Sequence, residues 1–123
     1  MEATVMAELG EDGFKQLVAA FYRRAKKDDL IGPMYPADDW EGSERRLADF
    51  LIFRFGGSQR YLLERGQPRL RMRHIHFSIG EKERDRWLQM MGEAMDEREI
   101  CGDVRTFLSG FFDQVADFMR NSG

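Results

Sequence analysis

The chain has 123 residues, 42% of them hydrophobic and 33% charged, a composition that argues against disorder and suffices for one core without disulfide staples. Its net charge of −3 tells against a nucleic-acid partner, and no stretch approaches the ~20 apolar residues of a membrane span. Residues 1–10 lack a signal-peptide pattern, and the lone Cys101 excludes an intrachain disulfide and a thiolate-rich zinc site; the expectation is a cytoplasmic protein of one domain, residues 1–123.

From residue 13 to residue 26 apolar side chains recur at Phe14, Leu17, Val18, Phe21 and Ala25. That spacing predicts a helix with one buried stripe, with Asp12 as its N-cap. Residues 30–39, LIGPMYPADD, break the pattern with two prolines and predict a short turn. A second helix is predicted over 39–55, with Leu47, Phe50, Leu51 and Phe55 on one side and Gly56 and Gly57 as its stop. Residues 58–77 are weakly periodic and contain Gly66 and Pro68. So long a loop inside a helical chain is unusual and often functional. A third helix is predicted over 79–97, opened by a capping box of Ser78 and Glu81, with Trp87, Leu88, Met91, Ala94 and Met95 as its apolar face. The fourth, over 103–120, carries a stripe of Phe107, Leu108, Phe111, Val115 and Phe118. Neither strand alternation nor an internal repeat is present, so the fold class is all-α.

Three sets of residues bear on chemistry. The only histidines, His74 and His76, stand two apart and so point to different faces of any helix. A zinc site needs three or four protein ligands, whereas a haem needs one strong axial ligand. Two histidines therefore suit haem better than zinc, although most histidines are structural or exposed. Arg60, Arg65, Arg69, Arg71 and Arg73 face one acid, Glu64, in the same stretch. They read as a solvated face, as a nucleic-acid patch that the net charge does not support, or as partners for a ligand's carboxylates, which arginine holds well. Tyr22 and Trp87 lie on or beside apolar stripes and carry polar tips that need partners when buried. They are either core residues with satisfied tips or donors in a pocket.

The combination resembles the truncated haemoglobins, specifically their second group. The resembling pieces are FY at Phe21 and Tyr22, MYPADD at 34–39, RRLADFL at 45–51, FGG at 55–57, RGQPRLRMRH at 65–74 and ERDRWLQMM at 83–91. The resemblance implies a globin-like two-over-two helical sandwich around haem b, iron protoporphyrin IX. It implies His74 as the iron ligand, Tyr22 and Trp87 as distal donors, Tyr35 as the aromatic near the bound ligand, and Ser43 at the distal gate position. Being small, Ser43 would leave a side door to the haem. Leu47 and Phe50 would line the haem face, and Arg46, Tyr61 and Arg73 would meet the propionates. The chain departs from the family pattern at Gln67, Ser58 and His76, and a usual glycine pair is reduced to Gly13, which implies a less sharply bent first connection.

The function so implied is reversible binding of O2, CO or NO at a five-coordinate ferrous haem, by a monomer or homodimer, with no nucleic acid and no membrane. A peroxidase-like or NO-dioxygenase activity served by a separate reductase is an alternative. A small helical nucleic-acid-binding module built on Arg60 to Arg73 ranks lower.

Overall fold

Phe14, Leu17, Val18, Phe21 and Ala25, the stripe expected on the first helix, are all fully buried in the computed structural model, which describes residues 1–56 and 79–119. Their helix, α1, spans Glu2–Ala25 and so begins well before the expected start. The added turns carry four acidic residues, bury Val5 fully and lay Met6 and Leu9 against the core. Glu2 anchors them by a 2.7 Å ion pair to Arg54. The bend between the added turns and the rest lies at Gly10 (φ 67, ψ 177) and not at Gly13. That backbone region is open essentially to glycine alone. Gly13 instead sits inside the helix, where a Cβ would stand 3.0 Å from that of Leu9.

After α1 the chain turns on Asp28, whose carboxylate accepts the N–H groups of Leu30 and Ile31 at 3.0 and 2.8 Å. Such a local side-chain bond replaces the lost helical ladder. Burial pushes the Asp28 carboxyl up, but the Ile31 and Leu30 N–H groups and the Arg86 guanidinium together hold it below its ordinary value. Pro33 starts a single 3-10 turn, Gly32–Met34, and Tyr35 follows in extended conformation.

The second helix, α2, spans Trp40–Arg54. Phe50, Leu51 and Phe55 are buried as expected, joined by Ala48 and Ile52, while Leu47 is half-buried. Gly56 (φ 90) ends it in the left-handed conformation expected of a helix-stopping glycine.

The third helix, α3, spans Glu81–Glu97, and its N-cap is Gly80 rather than Ser78. The Glu83 carboxylate accepts the Gly80 N–H at 2.7 Å. This is half of a capping box, because glycine has no side chain to complete it. Trp87, Met91, Ala94 and Met95 are buried as expected, with Met90 in addition and Leu88 only partly covered. The last helix, α4, spans Gly102–Met119. Its buried line is Val104, Leu108, Phe112, Ala116 and Met119, rotated about one residue from the expected stripe. Phe107 and Phe111 flank that line, and Phe118 is 61% exposed.

Helix α1 packs against both α2 and α3, and α3 against α4. Arg23 and Arg24 at the end of α1 both pair with Glu97 at the end of α3. Among the described residues every regular element is helical, and none of these helices is long and apolar enough to cross a membrane. The expected loop over 58–77 lies outside the described residues.

Candidate functional site

Tyr22 follows the fully buried Phe21 on α1, and its own exposure is 3%. A tyrosine so placed needs a partner for its tip. It finds one on α2: the Tyr22 hydroxyl donates to the Ser43 carbonyl at 3.2 Å. Rings enclose it. Tyr35 meets it edge-on at 5.3 Å between centroids, Trp40 lies at 6.2 Å, and Tyr35 and Trp40 are 5.2 Å apart. Such offset and edge-on geometries are the favourable ones for aromatic pairs. Trp87 enters from α3, 5.2 Å from Phe21 and 5.8 Å from Phe112.

The polar tips lie close together. Tyr35 is half-buried as a residue, but its hydroxyl is turned inward, within hydrogen-bonding reach of Tyr22 and Trp87. An indole N–H can only donate, and each tyrosine has one proton to give. The Tyr22 proton goes to the Ser43 carbonyl, and Tyr35 and Trp87 bring the two other donor tips to the same place. Burial, reinforced by the neighbouring Tyr35, pushes the Tyr22 phenol well above its ordinary range. Burial also pushes Tyr35 up. Both stay protonated, and so remain donors, at neutral pH.

A second polar group borders the first. Ser43 is buried, and one Arg46 nitrogen donates both to its Oγ at 3.2 Å and to an Asp39 carboxylate oxygen at 3.1 Å. Asp39 is the N-cap residue of α2, yet its carboxylate makes no capping bond. It lies over Gly42 instead, where a Cβ would stand 2.3 Å from one carboxylate oxygen.

Apolar residues complete the surroundings. Phe50 is buried and Leu47 half-buried on α2. Ile79, Trp87, Ala116 and Met119, with Met34 and Tyr35, line an apolar cavity of about 20 Å³. Of the residues expected at the site, Tyr22, Tyr35, Ser43 and Trp87 therefore come together, Arg46 is attached to Ser43, and Leu47 and Phe50 follow on the same helix. Tyr61, Arg73 and His74 lie outside the described residues, as does His76. Sequence reasoning missed Trp40, Asp39 and Gly42. Trp40 carried the one available signal, an aromatic beside the MYPADD turn, but its ring contacts depend on how α2 meets α1.

Residues 4–121 match the family model described as bacterial-like globin. The chain is 38% identical over 113 residues to group 2 truncated hemoglobin YjbI of Bacillus subtilis, covering 92% of this chain and 85% of that one. Among solved structures, the truncated oxygen-avid haemoglobin of Bacillus subtilis superposes with a TM-score of 0.89 at 36% identity, covering 95% of this chain and 98% of that one. A thermostable hemoglobin of Thermobifida fusca gives 0.89 at 37% identity, with 95% and 96% covered.

Proposed function

Because the chain belongs to the bacterial-like globins and, within them, to the group II truncated haemoglobins, we propose that it holds haem b on His74 and reversibly binds O2 and other diatomic ligands beside Tyr22, Trp87 and Tyr35. The observation that carries this reading is the gathering of three donor-bearing aromatics, Trp87, Tyr35 and Tyr22, around Phe21, with the Tyr22 hydroxyl on Ser43. The Bacillus subtilis relative is described as oxygen-avid, and a row of donors is what avidity requires.

The residues suit the group. Haem needs apolar walls, and Leu47, Phe50, Ile79, Trp87 and Met119 are apolar side chains available for them. Its carboxylates need cations, for which Arg46 and Arg73 are the candidates, with Tyr61 as a further partner. Haem, when bound, supplies the iron that takes the diatomic ligand.

The chain's own residues do the rest. Donors fixed in a water-poor site stabilise partial negative charge on a ligand more than they would in water, and they need no reorganisation to do so. Tyr22 has one proton, so giving it to a ligand means withdrawing it from the Ser43 carbonyl. Tyr35, whose ring meets that of Tyr22 edge-on at 5.3 Å, then keeps Tyr22 oriented. Such donation slows release, which favours chemistry on the ligand over storage, and turnover would draw electrons from a separate reductase.

Absorption spectra of the protein expressed with haem available, in ferric, ferrous and O2-exposed states, test the reading. The expected result is a haem protein whose ferrous form is five-coordinate and whose His74→Ala variant loses that coordination. A colourless chain indifferent to His74, with salt-dependent affinity for nucleic acid, would be the result for a nucleic-acid module.

A further inference from the structure

We propose that Trp40 is the exit for oxidising equivalents when hydrogen peroxide reacts at the site, reached from Tyr22 and Tyr35, and that it is the side chain oxidised when no other reductant is at hand. This rests on the haem reading given above. Tyr22, Tyr35 and Trp40 form a triangle of rings. The centroids lie 5.3 Å apart for Tyr22 and Tyr35, 5.2 Å for Tyr35 and Trp40, and 6.2 Å for Tyr22 and Trp40. Phenols and indoles lose an electron far more readily than a phenyl ring, and at these separations an electron passes from ring to ring. The triangle also runs from inside to outside. Tyr22 is 3% exposed, whereas Trp40 is half-buried at the first position of α2.

The surroundings single out Trp40 from the other tryptophan of the chain, Trp87. An indole that has lost an electron is a cation, which carboxylates stabilise and an apolar site does not. Trp87 is buried against Phe21 and Phe112. Trp40 has Asp38, Asp39 and Glu41 beside it in the chain and Glu44 one helical turn on, with Asp39 shared with Arg46. Water also reaches a half-buried ring. The electrons balance. Cleavage of the peroxide O–O bond to give two waters takes up two electrons and two protons. Trp40 gives up both electrons in single steps by way of the two tyrosines, which are restored each time and keep their protons in the net reaction. The oxidised indole takes an oxygen from water, a ring C–OH replaces a C–H, and the two protons released match those consumed. The sum is Trp40 and hydrogen peroxide giving hydroxylated Trp40 and water.

The test is peptide mass mapping of the haem-loaded protein after brief exposure to hydrogen peroxide without added reductant, beside the same protein with its haem blocked by cyanide. Trp40 is expected to gain one oxygen atom in the unblocked protein alone, with Trp87 unchanged. Peroxide acting from solution would instead mark the exposed Met1 and Cys101 in both samples. Tyr35→Phe should lower the yield at Trp40 without abolishing it, because Tyr22 also faces Trp40 directly. Freeze-quenched electron paramagnetic resonance should show a tyrosyl radical that decays quickly in the wild type and persists in Trp40→Phe. Trp40 unmodified, Trp40 modified equally under cyanide, or oxidation confined to Trp87 would overturn the exit while leaving the haem reading standing. An unchanged radical lifetime in Trp40→Phe would do the same. A chain that takes up no haem, visible in its spectrum before peroxide is added, overturns both.

Discussion

The hydroxyl of Tyr22 reaches across from α1 to donate to the backbone carbonyl of Ser43 on α2, at 3.2 Å. That bond ties α1 to α2 and fixes the orientation of the principal donor. Replacing Tyr22 by Phe removes that donor and leaves the Ser43 carbonyl without it, at a cost of about 1–2 kcal/mol in folding stability. The same variant is expected to release O2 about tenfold faster, the equivalent of ~1.4 kcal/mol of lost interaction. Stopped-flow O2 displacement and urea melts measure the two effects separately. Trp87→Phe should move the release rate in the same direction. Release rates equal to wild type in both variants would remove these residues from the pocket.

The raised phenols of Tyr22 and Tyr35 set an alkaline limit. Each stays neutral in the folded chain at a pH where the unfolded chain has already ionised. Their contribution to stability is therefore present below about pH 10 and is lost progressively as pH rises beyond it. In a phenolate absorbance titration, two of the three tyrosines should ionise only together with unfolding. Tyr22→Phe and Tyr35→Phe should each delete one of those late steps. Reversible titration of all three in the folded protein would contradict the burial argument.

Asp28 works in the opposite direction. Its carboxyl is held below the ordinary value, because the N–H groups of Ile31 and Leu30 and the guanidinium of Arg86 outweigh burial. Its contribution is present above the unfolded value near 4 and is lost as pH falls through the lower folded value. Asp28→Asn should therefore flatten the acid side of the stability profile and lower stability at neutral pH. Melting temperatures measured across the acid range provide the comparison.

Two glycines should respond oppositely to alanine. Gly10 occupies a backbone region reserved for glycine, so Gly10→Ala is expected to cost about 2 kcal/mol. Gly110 lies exposed inside α4, with nothing within 4 Å of an added Cβ. Gly110→Ala should stabilise by about 0.5–1 kcal/mol. Thermal and urea melts of the two variants decide both.

Phe14 to Ala25, Trp87 and Met91 were legible in the sequence because their helical spacing alone puts them on one face, and that face is the one the neighbouring helices cover. The turns from Glu2 to Leu9 were not legible, because Val5, Met6 and Leu9 make only a short apolar run that ends at Gly10; their place comes from Arg54 and from the bend at Gly10. In α4, phenylalanines lie on two adjacent stripes, and which stripe turns inward is decided by the surface of α3, so Phe118 ended outside. At the site, the family motifs named Tyr22, Tyr35, Ser43 and Trp87, and these converge. Asp39 and Gly42 could not be read in advance, because their roles depend on a carboxylate folding back over a missing side chain.

The ties between α1 and α3 also govern when this protein can fold during its synthesis. Arg23 and Arg24 wait for Glu97, which leaves the ribosome 74 and 73 residues after them. Phe21 likewise waits for Trp87. The first helix is thus covered in two stages, early by α2, where Phe14 stacks on Phe55, and late by α3, so the side that meets α3 stays bare until residue 87 and beyond are made. Contacts this distant in sequence slow folding and leave apolar surface open to association. Nascent chains halted before α3 emerges should therefore be strong substrates for a chaperone that holds exposed helices.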